Sequence, residues 1–185
     1  LLRNNSNKIS YDIYSKLVFG ELPVSSWNKL IRRDFLKENS IDFYEGVIHE
    51  DVDFLYKLAA HVTSFALCPV ISYCYRVQRE GSILSTTNDD RSTQSRILVY
   101  NACLDKKMKM PFRKLLTRSI FLRLIFVLQT AHVSHNLRYS FNTLCWRTVH
   151  EASGMDGFWM GLYLRAPKFL KNRFYNLYSK KMKSL

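Results

Sequence analysis

The sequence is poor in everything that breaks or staples a chain. Its 185 residues include six glycines, four prolines and four cysteines. So few breakers exclude a Gly/Ser-rich or Pro-rich linker and any low-complexity tract, and no internal repeat suggests a solenoid. Cys68, Cys74, Cys103 and Cys145 form no C-x-x-C pair and no metal-ligand spacing. With no signal peptide ahead of them, they read as reduced thiols of a cytosolic chain. The longest apolar run, Ile120 to Leu128, is interrupted by Arg123 and is too short to span a bilayer. No methionine precedes Leu1-Leu2-Arg3, which suggests a fragment or a processed product.

Acid is scarce too, but only in one half. Residues 91–185 hold 18 Lys+Arg against three Asp+Glu, whereas residues 1–90 hold 10 against 12. The expected division is therefore a near-neutral part, 1–90, and a basic helical extension, 91–185, that meets an anionic partner. The polar stretch Thr86 to Ser92 is the expected hinge between them.

Apolar spacing predicts helices over 8–20, from Trp27 to about Lys37 behind a Ser25-Ser26 cap, and from Glu50 to about His61. Beyond the hinge it predicts helices over about 91–106, 112–131 and 138–152. Gly154, Gly157 and Gly161 read as breakers, and a last amphipathic stretch begins at Leu164. Ile41-Asp42-Phe43 alternates, and Val70 to Val77 is β-branched and aromatic, so both read as short strands. The fold class is α+β, predominantly helical.

The densest acidic cluster, Glu50-Asp51-Val52-Asp53, opens a helix, where free backbone N–H groups favour negative charge. Taken alone, it is an ordinary acidic first turn. Its flanks change that. Ser26-Trp27-Asn28-Lys29-Leu30, Phe43-Tyr44-Glu45-Gly46, Glu50-Asp51-Val52-Asp53-Phe54, Tyr73-Cys74-Tyr75-Arg76 and Gly81-Ser82-Ile83 follow in order within 26–83. This succession resembles the W-N-K-L, F-x-E-G, E-D-x-x-F, Y-x-Y-R and G-S-I elements of family 2 glycosyltransferases, above all bacterial members that build capsular and surface polysaccharides. It covers about a third of the chain.

The resemblance implies the C-terminal portion of a GT-A enzyme, with a few short strands from that fold's sheet and without the nucleotide-binding half. It implies inverting transfer from a nucleotide-sugar donor to an acceptor hydroxyl, with Asp51 as general base and Glu50 beside it. Trp27, Asn28 and Lys29 would line the donor and acceptor cleft, and Arg76 and Ser82 would close over the donor diphosphate. Edge-strand charge is the competing reading of Arg76. A divalent metal, magnesium or manganese, would be held mainly by the missing half. Asp51-Val52-Asp53 spells D-x-D, but at the wrong end of the fold, and it is read as coincidental. His132 and His135 lack a third ligand.

The acceptor would be a saccharide, free or carried on a lipid. Segments 112–131 and 164–185 could rest on an anionic membrane surface, which would place the protein in the cytoplasm or peripherally on the inner membrane face. Nucleic acid ranks lower, because the basic residues are spread over several helices and no nucleic-acid motif is present. The alternative to the transferase is a non-catalytic basic helical module that binds nucleic acid, a protein partner or an anionic membrane.

Overall fold

The computed structural model describes residues 24–66, 71, 73–77, 90–105, 112–130, 133–152, 154–167, 170, 171, 173, 175 and 176. The expected helix over 8–20, Ser82, residues 86–89 of the expected hinge and most of the tail beyond 167 lie outside these residues. Among the described residues, a 3-10 turn at Ser26–Asn28 is followed by the helices α1 (Arg33–Glu38), α2 (Glu50–His61), α3 (Asp90–Asp105), α4 (Phe112–Thr130), α5 (His135–Ala152) and α6 (Gly154–Arg165). The architecture is predominantly helical, and none of these helices is long and apolar enough to cross a membrane.

The core forms where α2, α3, α4 and α5 turn their apolar faces together. Leu55 and Tyr56 of α2, Val99 and Cys103 of α3, Leu116 and Ile120 of α4, and Phe141 and Leu144 of α5 belong to one buried cluster. That cluster unites residues from both sides of position 90. Asp90 to Ser92, at the end of the expected hinge, form the first turn of α3. On the other side of α4, Phe121 and Ile125 pack against Met160 and Tyr163 of α6. Helix α4 is thus enclosed on two sides, which explains why its sequence is apolar nearly all round.

Four basic residues, Arg113, Lys114, Arg118 and Arg123, interrupt that apolar helix. Arg118 is buried and donates from Nε and Nη2 to the two carboxylate oxygens of Asp156 on α6, at 2.9 and 3.0 Å. Both hydrogen bonds are charge-assisted and lie in a fork geometry, which fixes the orientation of α6 on α4. Helix α5 is tied down similarly. Arg147 reaches Asn101 and Asp105 of α3, and Arg113 of α4 pairs with Glu151.

Several sequence expectations need correction. No strand is present among the described residues. Ile41-Asp42-Phe43 is irregular and pairs with no strand among the described residues. It is held by burial of Ile41, by Phe43 stacked on Phe54 at 4.4 Å, and by Lys57 donating to the Asp42 carbonyl. Tyr73 to Val77 is likewise irregular and exposed. The expected helix from Trp27 is broken, because Lys29 takes an extended backbone (φ −126, ψ 135). Helical structure resumes only at Arg33.

Gly154 and its neighbours do not end the helical pattern. Gly154 opens α6 in the left-handed region (φ +55), a conformation that suits glycine. Gly157 lies where α6 crosses α5 so closely that an added Cβ would meet the Val149 carbonyl oxygen at 2.9 Å. Glycine therefore serves close approach there. Gly157→Ala should force the two helices apart and destabilise the chain by about 1–3 kcal/mol. A lowered midpoint in urea unfolding, with an unchanged slope, is the expected result.

Candidate active site

The loop entering α2 is clamped by α3. The Ile48 N–H donates to Ser95 Oγ at 3.2 Å, and His49 Nε2 lies 2.8 Å from Ser92 Oγ. His49 takes a left-handed backbone (φ 69, ψ 25), so the chain turns sharply before Glu50 and delivers three carboxylates, Glu50, Asp51 and Asp53, to the first turn of α2. Glu50 is exposed, whereas Asp51 is half-buried.

Burial pushes the Asp51 carboxyl above its ordinary range, and the neighbouring Glu50 charge adds to the effect. The Val52 N–H, Arg123 and its own N–H pull it back. Lys29 lies within electrostatic reach. Burial weakens its hold on the proton, and the Asp51 charge strengthens it. The Lys29 ammonium also donates to the Ser25 carbonyl at 2.7 Å and to Asn28 Oδ1 at 2.8 Å, so its position is fixed by its own turn.

Arg123 comes from the middle of α4. Burial disfavours its charge, but Tyr56, Tyr100 and Asp51 outweigh that cost, and the guanidinium holds its proton more firmly than usual. It hydrogen-bonds the Tyr56 hydroxyl, which in turn lies 2.9 Å from Ser119 Oγ. Burial raises the proton affinity of both tyrosines, Tyr100 to about 12, so both remain neutral, and the Tyr56 hydroxyl accepts from Arg123. Sequence reading noticed Arg123 only as an interruption of an apolar run. A charge in mid-helix among apolar neighbours is itself a signal, because such a charge needs a partner.

The expected site residues fall into two groups. Asp51, Glu50 and Lys29 come together at the start of α2, with Asn28 touching Lys29. Trp27 stands beside them on an exposed aromatic platform, stacked on Tyr73 at 4.2 Å and on Tyr75 at 5.5 Å. Arg76 is exposed in the same irregular segment.

Asp53 does not join Asp51. Two residues on, it faces the interior, fully buried, paired with Lys57 at 2.7 Å and approached by Cys103 Sγ at 3.6 Å. The two carboxylates therefore cannot chelate one ion, and the described residues contain no group of three potential metal ligands. A shallow groove of about 600 Å³ runs along α5 from Tyr139 to Glu151, and its described lining residues include none of the expected site residues. No family model, curated protein or solved structure matches this chain.

Two outcomes follow from the electrostatics. Because the folded chain holds the Asp51 proton more tightly than the unfolded chain, stability is lost as pH rises through the carboxylate range. At neutral pH the ionised group is then a net cost. Asp51→Asn should raise the melting temperature at pH 7, and that advantage should vanish below about pH 3.8, the ordinary Asp value. His49 behaves oppositely. Burial, then Arg96 and Arg123, push its imidazole from 6.5 down to about 4. Its contribution is therefore complete above pH 6.5 and lost as pH falls toward 4. His49→Asn, which tolerates the left-handed backbone, should flatten the pH dependence of the urea midpoint within that window.

Proposed function

We propose that this chain is the acceptor-side part of an inverting glycosyltransferase similar to family 2, acting in cell-surface polysaccharide assembly, with Asp51 as the general base. The observation that carries this reading is the half-buried Asp51 carboxylate, raised in proton affinity and flanked by Lys29 and Arg123. A base works best when its proton affinity approaches the operating pH, and burial moves Asp51 in that direction. Arg123 and the α2 N–H groups keep it ionised enough to accept a proton.

The chemistry is a single displacement. Asp51 takes the proton of the acceptor hydroxyl as that oxygen attacks the anomeric carbon, and the nucleoside diphosphate leaves from the opposite face, which inverts the configuration. The Trp27, Tyr73 and Tyr75 platform offers aromatic faces to a sugar ring. Lys29, Arg76 and Ser82 are assigned to the diphosphate side by the resemblance alone. Asp51 and Asp53 face apart, so these residues do not fit a divalent-metal site. Magnesium or manganese is assigned to a nucleotide-binding half that they do not include. The activity would belong to the cytoplasmic side, with a saccharide or lipid-linked acceptor.

In a protein carrying this chain together with such a half, Asp51→Asn should lower the transfer rate about 10²–10⁴-fold. Donor binding by calorimetry should remain within a small factor of the parent. Nucleoside diphosphate release from a panel of nucleotide sugars reads the rate, and undiminished turnover would remove Asp51 from the mechanism. A second reading, a non-catalytic basic helical module, is favoured by the charge excess of residues 91–185. It expects no response to any nucleotide sugar.

A further inference from the structure

The residue that starts α2 does not behave as a helix start. An N-cap residue ordinarily has an extended backbone, and its side chain accepts from an N–H of the first turn. His49 does neither. Its backbone is left-handed (φ 69, ψ 25), and its side chain makes no capping hydrogen bond. Asparagine, aspartate or serine would cap this helix, and glycine would take the turn without steric cost. A histidine in this conformation is locally unfavourable, and such conformations collect where function fixes the backbone.

The imidazole reaches across to α3 instead. His49 Nε2 lies 2.8 Å from Ser92 Oγ, and the preceding Ile48 N–H donates to Ser95 Oγ at 3.2 Å. Ser92 and Ser95 are 1% and 6% exposed, and at a spacing of three residues they share one face of α3. Two consecutive residues of the loop are therefore tethered to neighbouring hydroxyls of one helix. Burial first, then Arg96 one turn beyond Ser92 and Arg123 of α4, keep the imidazole neutral. The consequence passes to Asp51 through the backbone. The Val52 N–H donates to the His49 carbonyl at 3.0 Å and also meets the Asp51 carboxylate. One donor thus joins the strained turn to the acid.

We propose that His49 and Ser92 are a positioning pair for Asp51: the hydrogen bond between them locks the left-handed turn and so sets where the Asp51 carboxylate stands. They act through the backbone, not on the reacting atoms. The catalytic meaning of the pair rests on Asp51 being the base of the proposed transfer; its positional meaning does not. A base is useful only where its oxygen lies within hydrogen-bond reach of the acceptor hydroxyl, and a misplacement of about 1 Å costs about a hundredfold in rate. Lys29 and Arg123 bias the charge of Asp51, whereas the backbone that carries it is held from α3. The basic helical part therefore contributes to the site through Ser92.

The test reads the Asp51 side chain directly, by nuclear magnetic resonance of the isotope-labelled full chain. Couplings from its backbone nitrogen and carbonyl carbon to Cγ at pH 7 report whether χ1 occupies one rotamer or several. The parent should show one. Ser92→Ala should give averaged couplings, and so should His49→Gly, which takes the turn without steric cost but removes the tether. The double variant should go no further than either single one, because both remove the same bond. Gly157→Ala, which loosens the bundle elsewhere, should keep the parent's couplings. In a protein carrying this chain with a nucleotide-binding half, Ser92→Ala should lower kcat about tenfold to a hundredfold with donor KM unchanged. Parent-like couplings in Ser92→Ala overturn the proposal. So do additive effects in the double variant, an averaged parent, or averaging in Gly157→Ala. If Asp51→Asn leaves transfer undiminished while Ser92→Ala still averages the couplings, the base assignment fails and the positioning pair stands. If Asp51→Asn abolishes transfer while Ser92→Ala leaves either the couplings or kcat unchanged, the pair fails and the base stands.

Discussion

Two arginines in one apolar helix hold this molecule together. Arg118 and Arg123 lie five residues apart on α4 and therefore face different sides of it. Arg118 reaches α6 through Asp156. Arg123 reaches α2 through Tyr56, with Tyr100 of α3 beside it. The buried Arg118 charge needs its partner, and removing Asp156 from this ion pair would cost about 3–5 kcal/mol. Apolar burial alone would permit α4 to rotate or slide among its neighbours. The two arginines restrict it to one register, and the positions of α2 and α6 follow.

The candidate site depends on that register. Asp51 is half-buried because α2 is drawn onto α3 and α4, and the cation opposing its desolvation is Arg123 itself. The Ile48 and His49 contacts with Ser95 and Ser92 fix the approach to α2 from the α3 side. Glu50, with the same helix position to within one residue, stays in solvent. Burial separates the two carboxylates, although their sequence context is nearly the same.

Much of the helical layout was legible in the sequence, because apolar spacing reports which face of a helix will be buried. That signal located α2 closely, α3 and α4 to within a residue or so, and α5 to within one turn. It failed where spacing is not the deciding quantity. At Gly157 a glycine meant close approach to the Val149 carbonyl, a property of the partner helix. Ile41 to Phe43 has the alternation of a strand, but the anchors it found were α2 side chains, and the two-residue period cannot distinguish these. In the candidate site, Asp51 and Lys29 were visible through local motifs. Arg123 was not. Its role exists only because Tyr56, 67 positions earlier, is brought against it, and no local pattern encodes that meeting.

Acid is used differently in the site and in the bundle. Near α2, carboxylates remain in excess, and one of them is held half-buried with a raised proton affinity. In the bundle that follows, each of the three carboxylates is paired with an arginine, Asp105 at the surface and Asp156 inside, and basic residues remain in large excess. A chain selected for stability alone has no need of either arrangement: an ionised buried acid and a large excess of one charge both work against the folded state. The first is intelligible if Asp51 meets an external hydroxyl proton.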